Sequence, residues 1–391
     1  MKISDRQLFL DLYHAYVDAR RHKRRSVYQM LFQFGMEDEL FQLRDEIRER
    51  LYKPAPCYCF IVNDPVKREV FASHFRDRVV HHLLYNMISP LFERQFIYDS
   101  YSCRVGKGTK LGIERLEHHI RSCTRNYTCN AYVLQIDFSG YFMSIPKEKC
   151  YQVIMRTISK KAHFPCPSGG TWEDHCDFDL ADFLIRQILF RNPVENCDIV
   201  GSRTEWIGLP RSKSLLYAEP GTGMPIGDLT SQLFSNIYLN EFDQFVKREL
   251  KCRHYGRYVD DAFIVHNSEH YLRSLIPLLK DFALRELGLK IHPHKTRIVK
   301  SHHNVVFLGA VVRPYRRYMR TRTVHKFSWA IRQIEHGENP VQRIPTINSY
   351  LGYAKHFRSY RILDSRLGNS PLNETLTFKK DYQKAMPRKL K

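Results

Sequence analysis

The sequence predicts a mixed fold of the α/β (α+β) class, divided into more than one packed unit. Three observations predict it. Apolar residues recur at helical spacing towards both ends of the chain, short β-branched runs ending in carboxylates lie in its middle, and 391 residues exceed the size at which one core stops growing. A hydrophobic share of 43%, with 13% aromatic, supplies ample core and excludes a mainly disordered protein.

The elements follow in order. Residues 1–56 read as helical, with Leu8, Leu12, Tyr16 and then Leu40, Leu43, Ile47 and Leu51 three or four apart, and Pro54 and Pro56 are expected to stop that region. Between the two sets Arg20, Arg21, Lys23, Arg24 and Arg25 form a positive cluster that suits either bound phosphates or a solvated helix face. Helical spacing returns over 71–97, a glycine-containing basic connection covers 98–109, and a further helix is expected over 110–126. At 131–142 the period changes: an apolar, β-branched run turns at Gly140, as a buried strand running into a loop does. Residues 160–222, rich in Pro, Gly, Cys and Asp around one amphipathic helix at 180–190, read as an elaborated connection. A long helix over 230–250 leads to a strand, turn and strand at 257–266 with two carboxylates at the tip. A helix at 269–287, a hairpin-like segment at 296–318 and a mostly helical, basic remainder with a flexible tail complete the reading.

Charge narrows the partners. The 62 Lys and Arg against 41 Asp and Glu leave a net +21, which suits a polyanion such as nucleic acid. The longest apolar stretches, such as 305–312, are far too short to span a bilayer, so no membrane association is expected. Asp5 and Asp11 interrupt the apolar residues at the start, where no small-residue cleavage site follows, so a secretory signal is not expected and the location should be cytoplasmic. Ten cysteines at irregular spacing read as reduced thiols. His163, Cys166, His175 and Cys176 place four potential zinc ligands close together without paired CxxC spacing, open to zinc or to ordinary loop roles.

Against this basic background two acidic sites stand out: Asp137 at the end of one strand, and Asp260 with Asp261 between two others. Carboxylates at strand ends are costly unless paired or bound to cations. Oxygen-only ligands select Mg²⁺ or Mn²⁺, and the economical use of two such ions is in-line displacement at phosphorus. Adjacent aspartates alone usually mark a turn; their combination with a distant third is a stronger sign.

These blocks resemble the reverse transcriptases. Tyr258-Val-Asp-Asp261 is similar to the family's Y-x-D-D motif, and Gln135-Ile-Asp-Phe138 with Tyr141-Phe142 to the block carrying the other metal-binding aspartate. In order with them, Tyr101–Gly108 resembles the basic fingers segment, Gly223–Gln232 with Asn236–Leu239 the loop and helix that pack on template and nucleotide, and Val306–Gly309 the primer-grip hairpin. The resemblance implies a right-hand polymerase whose antiparallel palm sheet carries the aspartates. On that implication 1–130 would be an N-terminal helical region and fingers, 131–315 a palm with a fingers insertion at about 160–222, and 316–391 a thumb and basic tail.

Roles are implied residue by residue. Asp137 and Asp260 would hold two Mg²⁺ ions, Mn²⁺ being the substitute, with Phe138 lending a backbone carbonyl and Asp261 a weaker ligand. Arg104 and Lys107 would meet the triphosphate, and Phe142 would press on the sugar and exclude a ribonucleotide. Ile226, Gly227 and Gln232 would face template and nucleotide. Arg313, Arg316 and Arg317, with Lys355 and Arg358 on a helical thumb segment, would follow the duplex backbone. The partners implied are an RNA template, a DNA or RNA primer and dNTPs.

Two departures point to a subgroup. Most relatives carry Gln at Ile226 and Pro at Gln232; together with 209–214 and Ser349–His356, these residues resemble the reverse transcriptases of diversity-generating retroelements, which copy a template repeat with errors at adenine. Asp228, where Asn is usual, departs from that pattern. The subgroup implies a bacterial or phage source and a small, basic, helical accessory protein. The rival expectations are a reverse transcriptase of another bacterial lineage, serving phage defence, a retron or a CRISPR array, and a non-catalytic RNA-binding protein on the same fold.

Overall fold

The computed structural model of the chain describes residues 3–21, 26–63, 66–337, 339–379 and 381–388. It opens on three helices, α1 (Asp5–Arg20), α2 (Val27–Phe34) and α3 (Met36–Arg48), the first capped by the Ser4 hydroxyl accepting from the Gln7 N–H. The periodic set is buried as expected except Leu51, which is 62% exposed. The chain leaves the helix at Arg48 and Arg50 takes a left-handed φ of 61°, so the helix ends before the prolines that were expected to stop it. Of the basic cluster, Lys23, Arg24 and Arg25 lie outside the described residues.

Next come β1 (Cys57–Val62) and β2 (Arg68–Ala72), an antiparallel pair absent from the sequence reading, which placed helix from 71. The helices α4 (Phe75–Glu93) and α5 (Thr109–Cys123) follow, then β3 (Tyr132–Ile136), a single turn α6 (Tyr141–Ser144) and α7 (Lys147–Lys161). The connection at 160–222 holds α8 (Trp172–His175), α9 (Phe178–Leu189) and β4 (Cys197–Ile199), and β4 pairs in parallel with β1. After α10 (Leu229–Gln244) come β5 (His254–Tyr258), β6 (Asp261–His266), α11 (Glu269–Arg285) and β7 (Arg297–Lys300).

Strands β5, β6, β3 and β7 form one four-stranded antiparallel sheet in that order. Its central strands are apolar on both faces because both faces are covered. Leu134, Ile136, Ala262 and Ile264 belong to the largest core, shared with α4, α7, α9, α10 and α11, whereas Val133, Phe263 and Val265 belong to a second core under α5. That double burial is why these strands read as continuous apolar runs. Each fully buried Val, Leu, Ile or Phe contributes about 1.5–3 kcal/mol.

The segment at 296–318 corrects the sequence reading, because it is not one hairpin. β7 closes the edge of the four-stranded sheet, while β8 (Val305–Phe307), β9 (Ala310–Arg313) and β10 (Arg316–Met319) make a separate meander over the second core. Three helices, α12 (Thr321–Glu335), α13 (Pro340–Ala354) and α14 (Tyr360–Leu367), enclose a third core. The tail expected to be flexible instead forms the hairpin β11 (Leu376–Lys379) and β12 (Lys384–Pro387). Asn348 of α13 pins it with two hydrogen bonds, donating to the Ala385 carbonyl at 3.0 Å and accepting from its N–H at 2.7 Å. Among the described residues no helix is long and apolar enough to cross a membrane.

Candidate active site

Strand register brings the distant aspartates together. Ile136 of β3 pairs with Ala262 of β6, which carries Asp137, the next residue, to the level of Asp261. On the other side β5 and β6 are joined by a two-residue turn, since Tyr258 pairs with Asp261 and only Val259 and Asp260 lie between. Such a tight turn demands a positive φ, and Val259 supplies it at 53°, a conformation that a β-branched residue adopts only under constraint.

The constraint is a buried cation. Arg257, fully buried, donates from Nη1 to the Val259 carbonyl at 2.9 Å and grips Asp243 of α10 with two hydrogen bonds of 2.7 Å. Asp243 also accepts from the Tyr255 hydroxyl at 2.6 Å, so the buried pair is hydrogen-bonded on several sides, as a buried charge pair must be. No signal in the sequence revealed Arg257, because its strand, His-Tyr-Gly-Arg-Tyr, carries no apolar pattern that would mark the arginine as buried.

Electrostatics at the turn favour cations. Burial pushes the Asp260 carboxyl up to about 6, the Asp137 charge adding to the effect. Asp261 rises to about 7 through burial and then through repulsion from Asp260 and Asp137. Arg68 of β2 and Lys295 oppose both shifts, and Lys295 Nζ lies 2.8 Å from Asp137 Oδ2. Neither cation stood out in the sequence. Next to Asp137, Phe138 bridges to Ile291 through bonds made by its neighbours, His292 N–H to the Asp137 carbonyl and Ser139 N–H to the Lys290 carbonyl, so the carbonyl of Phe138 itself is turned out of that pairing.

This donor set, carboxylate and carbonyl oxygen throughout, fits Mg²⁺ or Mn²⁺, and the mutual repulsion of the acids is what a divalent ion relieves. Among the described residues no three His, Cys, Asp or Glu side chains are already drawn around one point as a metal cluster; Asp137 turns to Lys295 instead.

The other expected site residues divide. Phe142, half-buried on α6, and Ile226 both pack against one small apolar cluster that includes Cys57, Cys59, Phe71, Met143 and Leu215. The Ile226 carbonyl accepts from the Phe71 N–H at 3.0 Å, and the Phe142 carbonyl accepts from the Met224 N–H at 2.8 Å, so the loop is laced to both β2 and α6. Gly227 has φ 141°, and a Cβ there would lie 2.5 Å from the Phe71 carbonyl, so only glycine fits. Asp228 is buried, accepting from the Ser73 hydroxyl at 2.5 Å beside His81, whose Nδ1 is 2.6 Å from the Thr230 hydroxyl. Gln232 is half-buried on the first turn of α10.

Arg104 is already engaged within the protein. Its guanidinium is 7% exposed, paired with Glu93 at 2.9 Å and donating to the carbonyls of Ile97 and Ser100, so it ties the segment down and is not a free cation. Lys107 lies 3.9 Å from the Tyr98 ring centre and donates to the Tyr98 carbonyl; burial and the Arg104 charge lower its pKa. Arg317 is likewise engaged, by Glu114 at 3.3 Å and Glu117 at 3.2 Å, whereas Arg316 is exposed and Arg313 reaches Asn304. Lys355 and Arg358 are exposed but follow α13 in the turn before α14, not within the helix expected there.

The possible zinc ligands are engaged separately. His163 pairs with Glu173 at 2.8 Å, His175 Nε2 lies 2.6 Å from the Gly169 carbonyl, and the buried Cys176 thiol, its pKa pushed up to about 12 by burial, reaches the Met87 carbonyl.

Comparison with known proteins closes the case for the family. The sequence profile described as "Reverse transcriptase (RNA-dependent DNA polymerase)" matches residues 68–312, well over half of the chain. The chain belongs to the reverse transcriptase family. It is an RNA-directed DNA polymerase with the right-hand fold, and β5, β6, β3 and β7 are its palm sheet. Protein YkfC of Escherichia coli K12 is 22% identical over 334 residues, covering 76% of this reverse transcriptase and 78% of YkfC. Among solved structures, apo telomerase from Candida tropicalis is similar with a TM-score of 0.49 and 9% identity, covering 81% of this chain and 59% of that one. Telomerase from Candida albicans, solved with a fragment of telomeric RNA, gives 0.45 and 11%, covering 82% and 58%. The reverse transcriptase thus spans under three fifths of either telomerase chain.

Proposed function

We propose that this reverse transcriptase makes error-prone cDNA from an RNA template in a diversity-generating retroelement, extending a DNA or RNA primer with dNTPs at Asp137, Asp260 and Asp261. The observation that carries the catalytic part is the register that sets Asp137 level with Asp261 beside a braced Val259-Asp260 turn. Asp137, Asp260 and the Phe138 carbonyl would hold two Mg²⁺ ions, with Asp261 as the weaker ligand; bound there, the ions would activate the attacking 3′-hydroxyl and stabilise the leaving pyrophosphate.

The chain's own residues supply the rest. Arg68 and Lys295 provide positive charge where the triphosphate would approach the carboxylates, and Lys107 of the Tyr101–Gly108 segment, held in place by Arg104, would meet the triphosphate. Phe142 presses on the sugar and selects dNTPs. Gly227 lets the loop come close to β2, and Ile226 gives the nucleotide or template an apolar contact where a Gln could hydrogen-bond. With Gln232, this contact supports the error-prone lineage.

On this reading 1–130 forms the N-terminal region and fingers, 131–315 the palm with its insertion, and 316–391 the thumb; Arg313 at the end of the palm, with Arg316, Lys355 and Arg358 of the thumb, follows backbone phosphates while Arg317 braces α5. A net charge of +21 supports the nucleic-acid partners, a structured template RNA among them. The small basic accessory protein and a cytoplasmic location, bacterial or phage-encoded, rest on the resemblance to the diversity-generating subgroup.

Primer extension on an RNA template with Mg²⁺ and four dNTPs, the products sequenced beside an Asp260→Ala control, tests the reading. Errors concentrated opposite template adenines are expected, with the control folded and inactive. Accurate cDNA would move the enzyme to another bacterial lineage, and no product even with the cellular RNA and the accessory protein supplied would favour a binding protein.

A further inference from the structure

A cavity of about 250 Å³ lies where α13 of the C-terminal helical unit meets α5. Its apolar lining is Ile113, Tyr353 and Phe357, and its polar rim is Lys110, Arg317 and His356. Tyr353 and Phe357 present two tilted rings with centres 4.9 Å apart. Burial, then the charges of Lys110 and Lys355, lower the His356 pKa. Arg317 is held by Glu114 and Glu117, but Lys110 is 58% exposed and only loosely paired, 4.0 Å from Glu114, and Lys355 is exposed nearby.

Gly352 is the telling residue. It lies within α13, where glycine costs about 1 kcal/mol relative to alanine, and its φ is not one that requires glycine. A Cβ there would meet nothing within 4 Å, so no close approach of backbone demands it either. What the glycine provides is room, because the space before it is the cavity. Gly352 thus leaves open a space within the Ser349–His356 block that none of the duplex contacts assigned to Lys355 and Arg358 uses.

Two hydrogen bonds link the cavity walls to functional turns. The Thr109 hydroxyl, on the cavity lining, donates to the Tyr258 hydroxyl at 3.4 Å, next to the aspartate turn. The Tyr353 hydroxyl donates to the Leu308 carbonyl at 2.9 Å, at the turn between β8 and β9 where Leu308 holds a positive φ of 49°.

We propose that this cavity takes up one unstacked nucleotide, with its base against Tyr353 and Phe357 and its phosphate at Lys110. An apolar aromatic floor with a cationic rim is the chemistry that recognises a splayed base and its phosphate. The nucleotide can come from single-stranded RNA or from a free nucleotide. The site is separate from nucleotidyl transfer, so it stands or falls independently of the polymerase reading.

The test uses the full chain without Mg²⁺, measuring binding of a short fluorescent single-stranded RNA by anisotropy and of AMP by calorimetry. Gly352→Leu fills the cavity and is expected to weaken RNA binding about tenfold, the scale of one lost base stack, with the melting temperature held or raised. Extension of a saturating preformed primer-template is expected to persist in the variant. AMP binding with the same sensitivity to Gly352→Leu would support the site and name the free nucleotide as the source. Unchanged binding of both probes would overturn the proposal. Lys110→Ala, a change at an exposed side chain, is the second variant: weaker RNA binding with a shallower salt dependence is expected, and wild-type binding by it would also overturn the site.

Discussion

Arg257 holds Asp243 with two hydrogen bonds of 2.7 Å, and its remaining terminal nitrogen donates to the carbonyl of Val259 at 2.9 Å. One buried guanidinium thus fastens the aspartate-bearing turn to α10 and stabilises a left-handed valine. Asp243→Asn would leave that cation without its counter-charge and is expected to cost about 3–5 kcal/mol in urea denaturation. Replacing both partners, Asp243→Leu with Arg257→Leu, should recover much of that stability while polymerase activity stays low, because the Val259 carbonyl has then lost its donor. Activity that returns together with stability would show that Arg257 only supports the fold.

Acidity gives a second prediction. The half-buried Asp260 and Asp261 are raised to about 6 and about 7, above their ordinary 3.8, so the folded chain binds protons there that the unfolded chain releases. Their contribution to stability is fully present below about pH 4 and is lost as pH rises through 6 to 7. A divalent ion bound at this pair would replace those protons. Melting curves should therefore show Mg²⁺ raising the melting temperature more at pH 8 than at pH 5.5, and Asp261→Asn should reduce that difference. An Mg²⁺ effect equal at both pH values would contradict ion binding at this pair.

Phe142 offers a third. Its ring packs on the cluster beneath the Gly223–Gln232 loop and is only half-buried, so the rest of it is free to meet a nucleotide. Phe142→Ala is expected to cost about 2 kcal/mol, less than loss of a fully buried ring, and to raise incorporation of ribonucleotides at least tenfold relative to dNTPs. Competition between the two nucleotide types in single-turnover extension measures this directly, and loss of stability with unchanged selectivity would make the ring a packing residue alone.

The sequence made the palm readable because its strands are buried on both faces. Val133 and Leu134 point into different cores, so apolar runs there could hardly be anything but strands, and a carboxylate directly after such a run has to serve a purpose. β1 escaped notice because Cys57, Tyr58, Cys59 and Phe60 alternate inward and outward without alternating in polarity. The pairing of Arg104 was hidden for a different reason: Glu93 sits eleven residues earlier at the end of α4, and local composition says nothing about how the chain turns back there. The tail looked flexible by its charge, yet Asn348, far back in α13, supplies the bonds that order it.

Ile226 decides between lineages and gives the last prediction. Its backbone carbonyl is fixed by the Phe71 N–H and the neighbouring Gly227 permits the close approach, so the loop path does not depend on the Ile226 side chain. Exchange of that side chain should then alter recognition with little change in fold. Ile226→Gln places a half-buried amide on an apolar cluster, costing on the order of 1 kcal/mol, and restores a group able to hydrogen-bond toward template or nucleotide. Sequenced cDNA from the variant is expected to carry several-fold fewer errors opposite template adenine, with the extension rate within a few-fold of the parent. If the error spectrum stays the same while stability drops, Ile226 packs the loop, and errors opposite adenine, where sequencing finds them, would be traced next through Gln232 on the first turn of α10.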